Sequence, residues 1–240
     1  MLRCVILAAG KGSRLLENTK IPKPLIQLNG VPLIERQIKT FYDAGIREFF
    51  IVVGFLAEAV REYFKDFTLP DCSLLFIEND EWQNENGLSL IKAKPYIDTN
   101  FYFTMSDHYF DPQLIKSFMC KTLEGNNVLL AIDYPGYNNV HIDIDDVTKV
   151  SLDNNKIVNI GKNIECYQAY DTGLFLCTPQ IFIALENTIR LGDATISGSI
   201  RYLSQKKEAG AVYIGDGYWN DIDNGNDLKV TEQYLKSLMH

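Results

Sequence analysis

Short apolar runs alternate with amphipathic stretches along the first half of the chain. Residues 2–8 and 48–53 are rich in β-branched and aromatic side chains and have the length of buried strands. Between them, Pro32 begins a stretch whose apolar residues recur at helical spacing, and Gly45 ends it. Strand, helix and strand in this order predict a βαβ unit, and therefore a parallel sheet.

The same alternation continues to residue 132, and the pattern changes after residue 133. Up to that point we predict further strands at 73–77, 100–105 and 127–132 and further helices at 56–64, 87–94 and 112–121. Short strand candidates follow at 140–144, 148–151 and 156–160, before strands 169–177 and 211–214 and helices 180–189, 197–206 and 226–239. We therefore predict a single α/β domain over residues 1–240: a Rossmann-like, mostly parallel sheet flanked by helices, with a small antiparallel β excursion.

Length and composition exclude several classes of protein. The chain has 240 residues, of which 46% are hydrophobic, enough for a core without disulfides or a structural metal. No apolar run approaches the roughly 20 residues that cross a membrane. Five cysteines occur without a CxxC motif, which is typical of proteins in a reducing cytosol and not of zinc sites. We therefore expect a cytoplasmic protein with no membrane span.

The distribution of charge points to a small anionic ligand. The chain carries a formal net charge of −8, which argues against nucleic acid as a partner. Residues 1–24 nevertheless hold five basic residues and only Glu17 as an acid, a net +4 that leaves −12 for the rest of the chain. The anionic ligand is therefore expected at this amino-terminal segment, where the cations cluster.

A glycine-rich loop follows the first predicted strand. Residues 7–15 read LAAGKGSRL, in which two glycines allow a sharp turn and bring backbone N–H groups close to a ligand. The Walker A pattern GxxxxGK[ST] and the dinucleotide pattern GxGxxG are both missing. Farther along, Pro22 and Pro24 hold Lys23 in an extended backbone, which suits a side chain aimed at one point.

Together these two segments resemble the signature of the sugar-phosphate nucleotidyltransferases and cytidylyltransferases, LAAGxGTRL followed by PKPL, with Ser13 where many members have Thr. The resemblance implies that the loop wraps a nucleoside triphosphate, that Arg14 meets its β- and γ-phosphates and that Lys23 contacts the α-phosphate. Fixed cations and N–H groups there would stabilise the negative charge of the transition state. The implied nucleotide contacts in this part of the chain are Leu7, Ala8, Ala9, Gly10, Lys11, Gly12, Ser13, Arg14 and Lys23.

Two acidic segments are candidates for a metal site. Asp107 follows the predicted strand 100–105, and an acid at the carboxyl end of a parallel strand faces the ligand crevice. Residues 217–223, GYWNDID, resemble the WxDIDTPEDL segment of the same family, although NGN stands where TPE is expected. The resemblance implies that Asp107 and Asp221 hold Mg²⁺, with Asp223 as a capping or supporting group.

Two further resemblances assign the base and the acceptor. Residues 84–89, NENGLS, look like the variant typical of CTP-using members, which implies that Asn86, Gly87 and Ser89 contact the pyrimidine. The segments IGKN and YDTGLF, which begin at residues 160 and 170, resemble a pair of motifs in CTP:inositol-1-phosphate cytidylyltransferases. The implied acceptor contacts are Lys162 to the phosphate, and Asp171 and Thr172 to the hydroxyl groups.

The reaction that this resemblance implies is transfer of CMP from CTP to inositol 1-phosphate, which yields CDP-inositol and pyrophosphate with Mg²⁺ as cofactor. Residues 1–133 would bind the nucleotide, and residues 134–240 would bind the acceptor and supply the second metal ligand. A phosphate monoester is already largely ionised at pH 7, so no catalytic His or Cys is required. A separate membrane-bound phosphotransferase would be the partner that uses the product.

Three alternatives remain open at this point. Phosphocholine as the acceptor would favour an aromatic box around its quaternary ammonium, to which Tyr134, Tyr137, Tyr218 and Trp219 could contribute. A sugar 1-phosphate with UTP or dTTP is disfavoured by the NGxS pattern that begins at Asn86. A non-catalytic nucleotide-binding subunit is disfavoured because the expected cations and acids are all present.

Overall fold

The computed structural model describes residues 1–12, 21–136 and 139–238. The strands of these residues, in chain order, are β1 Leu2–Ala8, β2 Gln27–Leu28, β3 Val31–Pro32, β4 Ile46–Val53, β5 Ser73–Glu78, β6 Phe101–Met105, β7 His108–Phe110, β8 Val128–Asp133, β9 Lys149–Asp153, β10 Lys156–Gly161, β11 Ala169–Cys177, β12 Ala209–Tyr213 and β13 Trp219–Asp221. The helices are α1 Leu33–Asp43, α2 Ala57–Tyr63, α3 Asn86–Lys92, α4 Pro112–Met119, α5 Gln180–Arg190, α6 Ile196–Gln205 and α7 Gly225–Ser237, and short 3₁₀ helices lie at Lys23–Leu25 and Lys94–Tyr96. Within the described ranges, no helix combines the length and the apolar character needed to span a membrane.

Nine of these strands form one mixed sheet, in the order β5-β4-β1-β6-β11-β8-β12-β10-β9. The neighbours β5, β4, β1 and β6 run parallel to one another, as do β8 and β12. Strand β11 runs antiparallel between β6 and β8, and β9 and β10 form an antiparallel hairpin. The predicted α/β fold, a helix-flanked sheet with an antiparallel excursion, is confirmed.

One predicted strand is wrong. Residues 140–144 form turns instead. The backbone oxygen of Asp143 accepts hydrogen bonds from the amides of Asp146 and Val147, and its carboxylate accepts one from the amide of Asp145. Such local bonding competes with a β ladder. Val140 is also 80% exposed, so a strand here would bury little apolar surface.

Apolar side chains pack on both faces of the sheet. Strand β1 shows the division, since Val5 and Leu7 join the layer of α3, α5 and α6, whereas Cys4 and Ile6 join the layer of α1, α2 and α4. Successive side chains of a strand point to opposite faces, so each central strand contributes to both layers. The continuous apolar runs predicted as strands follow from this double burial.

Two pairings position the functional edge of the molecule. Strands β1 and β6 are parallel neighbours, so the segments that follow them leave the sheet at the same edge. The short strands β7 and β13 pair antiparallel, with Asp221 opposite His108. Helix α7 then begins in a capping box formed by Asn224 and Asp227. The two acidic segments, far apart along the chain, are thereby brought side by side.

Candidate active site

A cleft opens at the edge where β1 and β6 end. It has a volume of about 1040 Å³ and is lined by the glycine-rich loop, by segment 82–89 and by the acidic turn after β6. A second cavity of about 540 Å³ adjoins it, lined by β11, β13 and segment 142–148. The two cavities share Met105, His108, Thr148, Lys162 and Asp221, so ligands bound in them would be in contact.

Lys23 lies almost fully buried among carboxylates. Its Nζ donates to Asp107 Oδ2 at 2.6 Å and to Asp223 Oδ1 at 2.5 Å, and its side chain is 6% exposed. Burial alone would lower the pKa of Lys23, but the charges of these two carboxylates and of Asp221 outweigh burial and raise the pKa above its ordinary value. Lys23 is therefore a fixed cation that lines the cleft.

Two cations keep Asp107 ionised. Burial by itself raises the pKa of Asp107, yet the charge of Lys23 and the hydrogen bond with His108 lower it well below its usual range. His108 Nδ1 lies 2.8 Å from Asp107 Oδ1 and 4.0 Å from Asp221 Oδ1. Burial lowers the pKa of His108, but the two carboxylates more than offset it and raise the pKa to about 9. His108 is therefore protonated at neutral pH and orients Asp107.

The donor set at this edge fits a divalent cation. Asp107 and Asp221 each place a carboxylate oxygen within 4.8 Å of the other, and the protonated His108 stands beside them as a hydrogen-bond donor rather than a ligand. Asp221 Oδ1 is buried without a hydrogen-bond partner among the described residues, and burial, together with the charge of Asp107, raises the pKa of Asp221 to about 7. A cation between the two carboxylates would give the unpaired oxygen of Asp221 a partner and would offset the repulsion between Asp107 and Asp221. Carboxylate oxygens are also ligands that Mg²⁺ prefers. The two acids predicted to hold the metal thus lie together.

The glycine-rich loop leaves β1 at the cleft. Gly12 has a φ of +63°, and a side chain there would collide with the methylene groups of Lys23. Ala8 packs in the core at 2% exposure. Ser13 and Arg14, which were predicted to bind the nucleotide, lie outside the described residues. The predicted loop residues that line the cleft are Leu7, Ala9, Gly10 and Gly12.

An aromatic side chain that the sequence analysis did not single out borders the cleft beside this loop. Trp82 lines the cleft together with Asn84. The Trp82 ring centroid lies 5.2 Å from that of Phe55, and Lys11 Nζ lies 5.7 Å from the Phe55 centroid. Gly54 permits this arrangement, because a Cβ there would lie 2.5 Å from Trp82 Cβ. A nucleobase can stack on an indole face, and a tryptophan within the polar run NDEWQNENG was the available signal.

Two of the three predicted base contacts line the cleft. Asn86 and Ser89 do so. At Gly87 the backbone of α3 lies directly against the Ala194 carbonyl, where any side chain would collide, so Gly87 serves packing. Ser89 Oγ accepts a hydrogen bond from Asn79 Nδ2, and Asn86 Oδ1 accepts one from the first backbone N–H of α6, each at 3.0 Å. The groups left to contact a base are the Ser89 hydroxyl proton and the Asn86 NH₂.

The two predicted acceptor residues on β11, Asp171 and Thr172, are neighbours in the strand, so their side chains face opposite sides of the sheet. Asp171 and Gly173 line the smaller cavity. Thr172 is fully buried, and its hydroxyl donates to the Ala131 carbonyl at 2.8 Å. Because neighbouring side chains of a strand face opposite sides, a ligand that contacts Asp171 does not reach Thr172. The structure therefore does not place Thr172 in the site.

Lys162 and several acids line the smaller cavity. Lys162 borders both cavities and forms an ion pair with Asp146. Asp143 and Thr148 join them from the segment between β8 and β9, and no sequence motif identifies them as site residues. Burial raises the pKa of Asp171 to about 6. This set of groups suits a ligand with one phosphate and several hydroxyl groups.

The described aromatic residues do not form a cage for a quaternary ammonium. Tyr218 stacks on Tyr234 with ring centroids 3.9 Å apart. Trp219 is 2% exposed, and its indole N–H donates to a carboxylate at the end of β8. Tyr134 lines neither cavity, and Tyr137 lies outside the described residues.

Comparison with known families agrees with this geometry. Residues 4–142, more than half of the chain, match the model of the MobA-like NTP transferase domain. The chain therefore belongs to this family of nucleotidyltransferases, and the resemblance read from its motifs is confirmed.

Individual relatives are similar over nearly the whole chain. Bifunctional IPC transferase and DIPP synthase of Aquifex aeolicus is 31% identical over 233 residues, and that of Rubrobacter xylanophilus is 32% identical over 240 residues. Each alignment covers 96% of this chain and 51% of the relative, so the chain spans about half the length of the curated relatives it matches. Among solved structures, the inositol-1-phosphate CTP transferase from T. maritima has a TM-score of 0.85 at 24% identity, over 98% of this chain and 96% of that one, which supports the fold.

Proposed function

We propose that this chain is a Mg²⁺-dependent cytidylyltransferase, which transfers CMP from CTP to inositol 1-phosphate and releases CDP-inositol and pyrophosphate. The observation that carries the proposal is the convergence of Lys23, Asp107 and Asp221 in the larger cleft, where Asp221 also lines the adjoining cavity. One cavity is lined by the glycine-rich loop and the other by acids and Lys162. An α-phosphorus held at this junction would have a nucleotide on one side and an acceptor on the other.

The residues of this chain support an in-line displacement at that phosphorus. A phosphate oxygen of the acceptor forms the new P–O bond, the bond to the β-phosphate oxygen breaks, and pyrophosphate leaves. Lys23 stabilises the negative charge that spreads over the transferred group. Asp107 and Asp221 would hold Mg²⁺, which would supply charge neutralisation at the triphosphate. The attacking oxygen is already ionised, so His108 needs to accept no proton and remains a partner of Asp107.

The hydrogen-bonding groups beside Trp82 support cytosine as the base. The Asn86 NH₂ and the Ser89 hydroxyl proton donate to no described group, while each oxygen already accepts one protein hydrogen bond, so both side chains can present donors to the cleft. Cytosine offers two adjacent acceptors, O2 and N3, whereas uracil carries a proton on N3. This difference favours CTP over UTP or dTTP.

The smaller cavity supports a polyol phosphate as the acceptor. Lys162 suits its phosphate, and Asp143, Thr148 and Asp171 suit hydroxyl groups. The name of the similar solved structure, an inositol-1-phosphate CTP transferase, points to the same pair of substrates. Phosphocholine has less support, because Trp219 is the only one of the described candidate aromatic residues that lines either cavity.

A matrix of substrates tests the proposal. CTP, UTP, dTTP and ATP are each combined with inositol 1-phosphate, phosphocholine and glucose 1-phosphate in the presence of Mg²⁺, and pyrophosphate release is measured. We expect kcat/KM for CTP with inositol 1-phosphate to exceed every other pair by at least about tenfold, on the scale of one lost hydrogen bond to a buried polar group. A higher value for CTP with phosphocholine, or for UTP with glucose 1-phosphate, would replace the proposal with that alternative.

A further inference from the structure

A glutamine lies on the apolar face of α1. Gln37 is 4% exposed, and the other buried residues of this helix are Leu33, Ile34, Ile38 and Phe41. Buried polar side chains are informative, because they are normally hydrogen-bonded to a specific partner. Gln37 lines neither active-site cavity, so its partner lies behind the site rather than in it.

Gln37 spans the turn that carries Asp107. Its Nε2 donates to the backbone oxygen of Met105 at 2.8 Å and to that of His108 at 3.2 Å. Met105 ends β6 and His108 begins β7, so a single side-chain amide joins the two ends of the turn formed by Ser106 and Asp107.

Two further links that hold this turn run between backbone groups. Ser106 N donates to the Leu7 carbonyl at 2.9 Å, and Ile222 N donates to the Asp107 carbonyl at 3.0 Å. These bonds survive any substitution except one to proline. The bonds of Gln37 come from a side chain, so this support can be removed by itself.

The side-chain oxygen of Gln37 has no hydrogen-bond partner among the described residues, so only its NH₂ group bonds to the fold. Gln37 Oε1 is buried without a hydrogen-bond partner in the described part of the chain, and so is Nε of Arg36, which lines the same narrow crevice. The amide orientation is fixed, because its NH₂ must face the two carbonyl oxygens. An unpaired buried oxygen lowers stability, so packing of the core does not account for a glutamine at this position.

We propose that Gln37 is a positioning residue for the metal-binding carboxylate of Asp107. It fixes the turn between β6 and β7, so that Asp107 meets Lys23 and a bound cation in one geometry. This inference rests on the proposed function, because it takes Asp107 as a metal ligand. A side chain without the donor removes the bond to the His108 carbonyl oxygen, leaves the Met105 carbonyl oxygen with only the longer bond from Thr104 Oγ1 at 3.4 Å, and lets the turn relax. Loss of a group that supports a metal ligand typically weakens metal binding by about 10- to 100-fold.

Metal binding, rather than activity, tests the inference. Mn²⁺ serves as the probe, and its binding to the full chain is followed by EPR in the presence of CTP and without acceptor. Gln37→Met keeps the length of the side chain and removes the donor, and Gln37→Asn keeps the amide but is too short to reach both carbonyl groups. Ile38→Ala is the matched control, since it removes buried volume from the same helix face without a bond to the turn.

We expect both Gln37 variants to bind Mn²⁺ at least about tenfold more weakly than wild type. We expect Ile38→Ala to bind Mn²⁺ within about twofold of the wild-type affinity, even if its melting temperature falls as much as that of the Gln37 variants. Gln37→Asn decides the question should Gln37→Met fail to fold. Wild-type affinity in both Gln37 variants, or an equal loss in Ile38→Ala, would overturn the inference alone. Wild-type protein that binds no Mn²⁺ with CTP would overturn the proposed function as well.

Discussion

Lys23 and Asp221 belong to one partly buried cluster of charges but affect it in opposite directions. Lys23 compensates the carboxylates around it. Asp221 adds negative charge to a cluster that already contains Asp107, and one of its oxygens is buried without a described partner. Folding therefore benefits from the lysine and is opposed by this acid, whereas the proposed chemistry needs both.

We expect Lys23→Ala and Asp221→Asn each to lower turnover by about 100-fold or more, the scale of one major transition-state contact. Lys23→Ala should also lower the free energy of unfolding by about 3–5 kcal/mol, because it leaves buried charges uncompensated. Asp221→Asn should raise it, because burial opposes ionisation of this acid and raises its pKa to about 7. Pyrophosphate release and urea denaturation at pH 8 measure the two effects.

The exposed Lys39 supplies the control for this pair, since half of its side-chain surface is accessible. Lys39→Ala should leave turnover unchanged. Near-normal turnover in Asp221→Asn would contradict the metal-binding role of Asp221.

Asp171 should make stability depend on pH. Burial raises its pKa from 3.8 to about 6, so the folded chain holds a proton that the unfolded chain releases, and stability falls as the pH rises from about 4 to 6. Asp171→Asn removes this loss, which we place at about 1–2 kcal/mol after allowance for solvent screening. Urea denaturation should show the variant gaining stability over wild type across this range and no further above pH 7. A constant difference at all pH values would contradict the burial of this carboxylate.

At the scale of elements, the sequence predicts the long buried strands but not the three-residue strands β7 and β13. The strands predicted at 2–8 and 169–177 agree with β1 and β11, because burial on both faces makes continuous apolar runs. Strands β7 and β13 have three residues each, too few to show a period, and their pairing is set by contacts distant in sequence. The paired acids were accessible through motifs, whereas Gln37 was not, because its partners are backbone groups of another element.

Strand β11 supports the site through a glycine beneath His108. Gly173 has a φ of +77°, and a Cβ there would overlap the His108 ring. Gly192, at the end of α5, has a φ of +88° but nothing within 4 Å of such a Cβ. Alanine incurs the cost of a left-handed backbone, about 1–2 kcal/mol, at both positions. Only at Gly173 does it also displace a ring that bonds Asp107.

We therefore expect Gly173→Ala to lose about 1–3 kcal/mol more free energy of unfolding than Gly192→Ala, which is the usual cost of overpacking. Its turnover should fall by about tenfold or more, as expected when support of a metal ligand is disturbed, while Gly192→Ala keeps the wild-type rate. Denaturant titration and pyrophosphate release compare the two variants. Equal effects at both glycines would contradict a role for the contact with His108.

At the scale of the whole molecule, distant parts of an acidic chain contribute opposite charges to the proposed triphosphate site. The chain carries −8 in total, but its first 24 residues carry +4. Strands β1 and β6 lie side by side, which brings the loop of this basic segment next to Asp107. Strand β13 adds Asp221 from the far end of the sequence. Lys23 of the basic segment and the two acids proposed to hold a metal thus meet at one edge of the sheet.

The central claim, transfer of CMP to a phosphorylated polyol, is tested most directly by following oxygen. Wild-type protein is incubated with Mg²⁺, CTP and inositol 1-phosphate labelled with ¹⁸O in its phosphate, and the products are analysed by mass spectrometry. We predict CDP-inositol that retains all of the label and unlabelled pyrophosphate in equal amount, with neither product formed by Lys23→Ala at a comparable rate. Label in the pyrophosphate, or CTP consumption without CDP-inositol, would contradict the account.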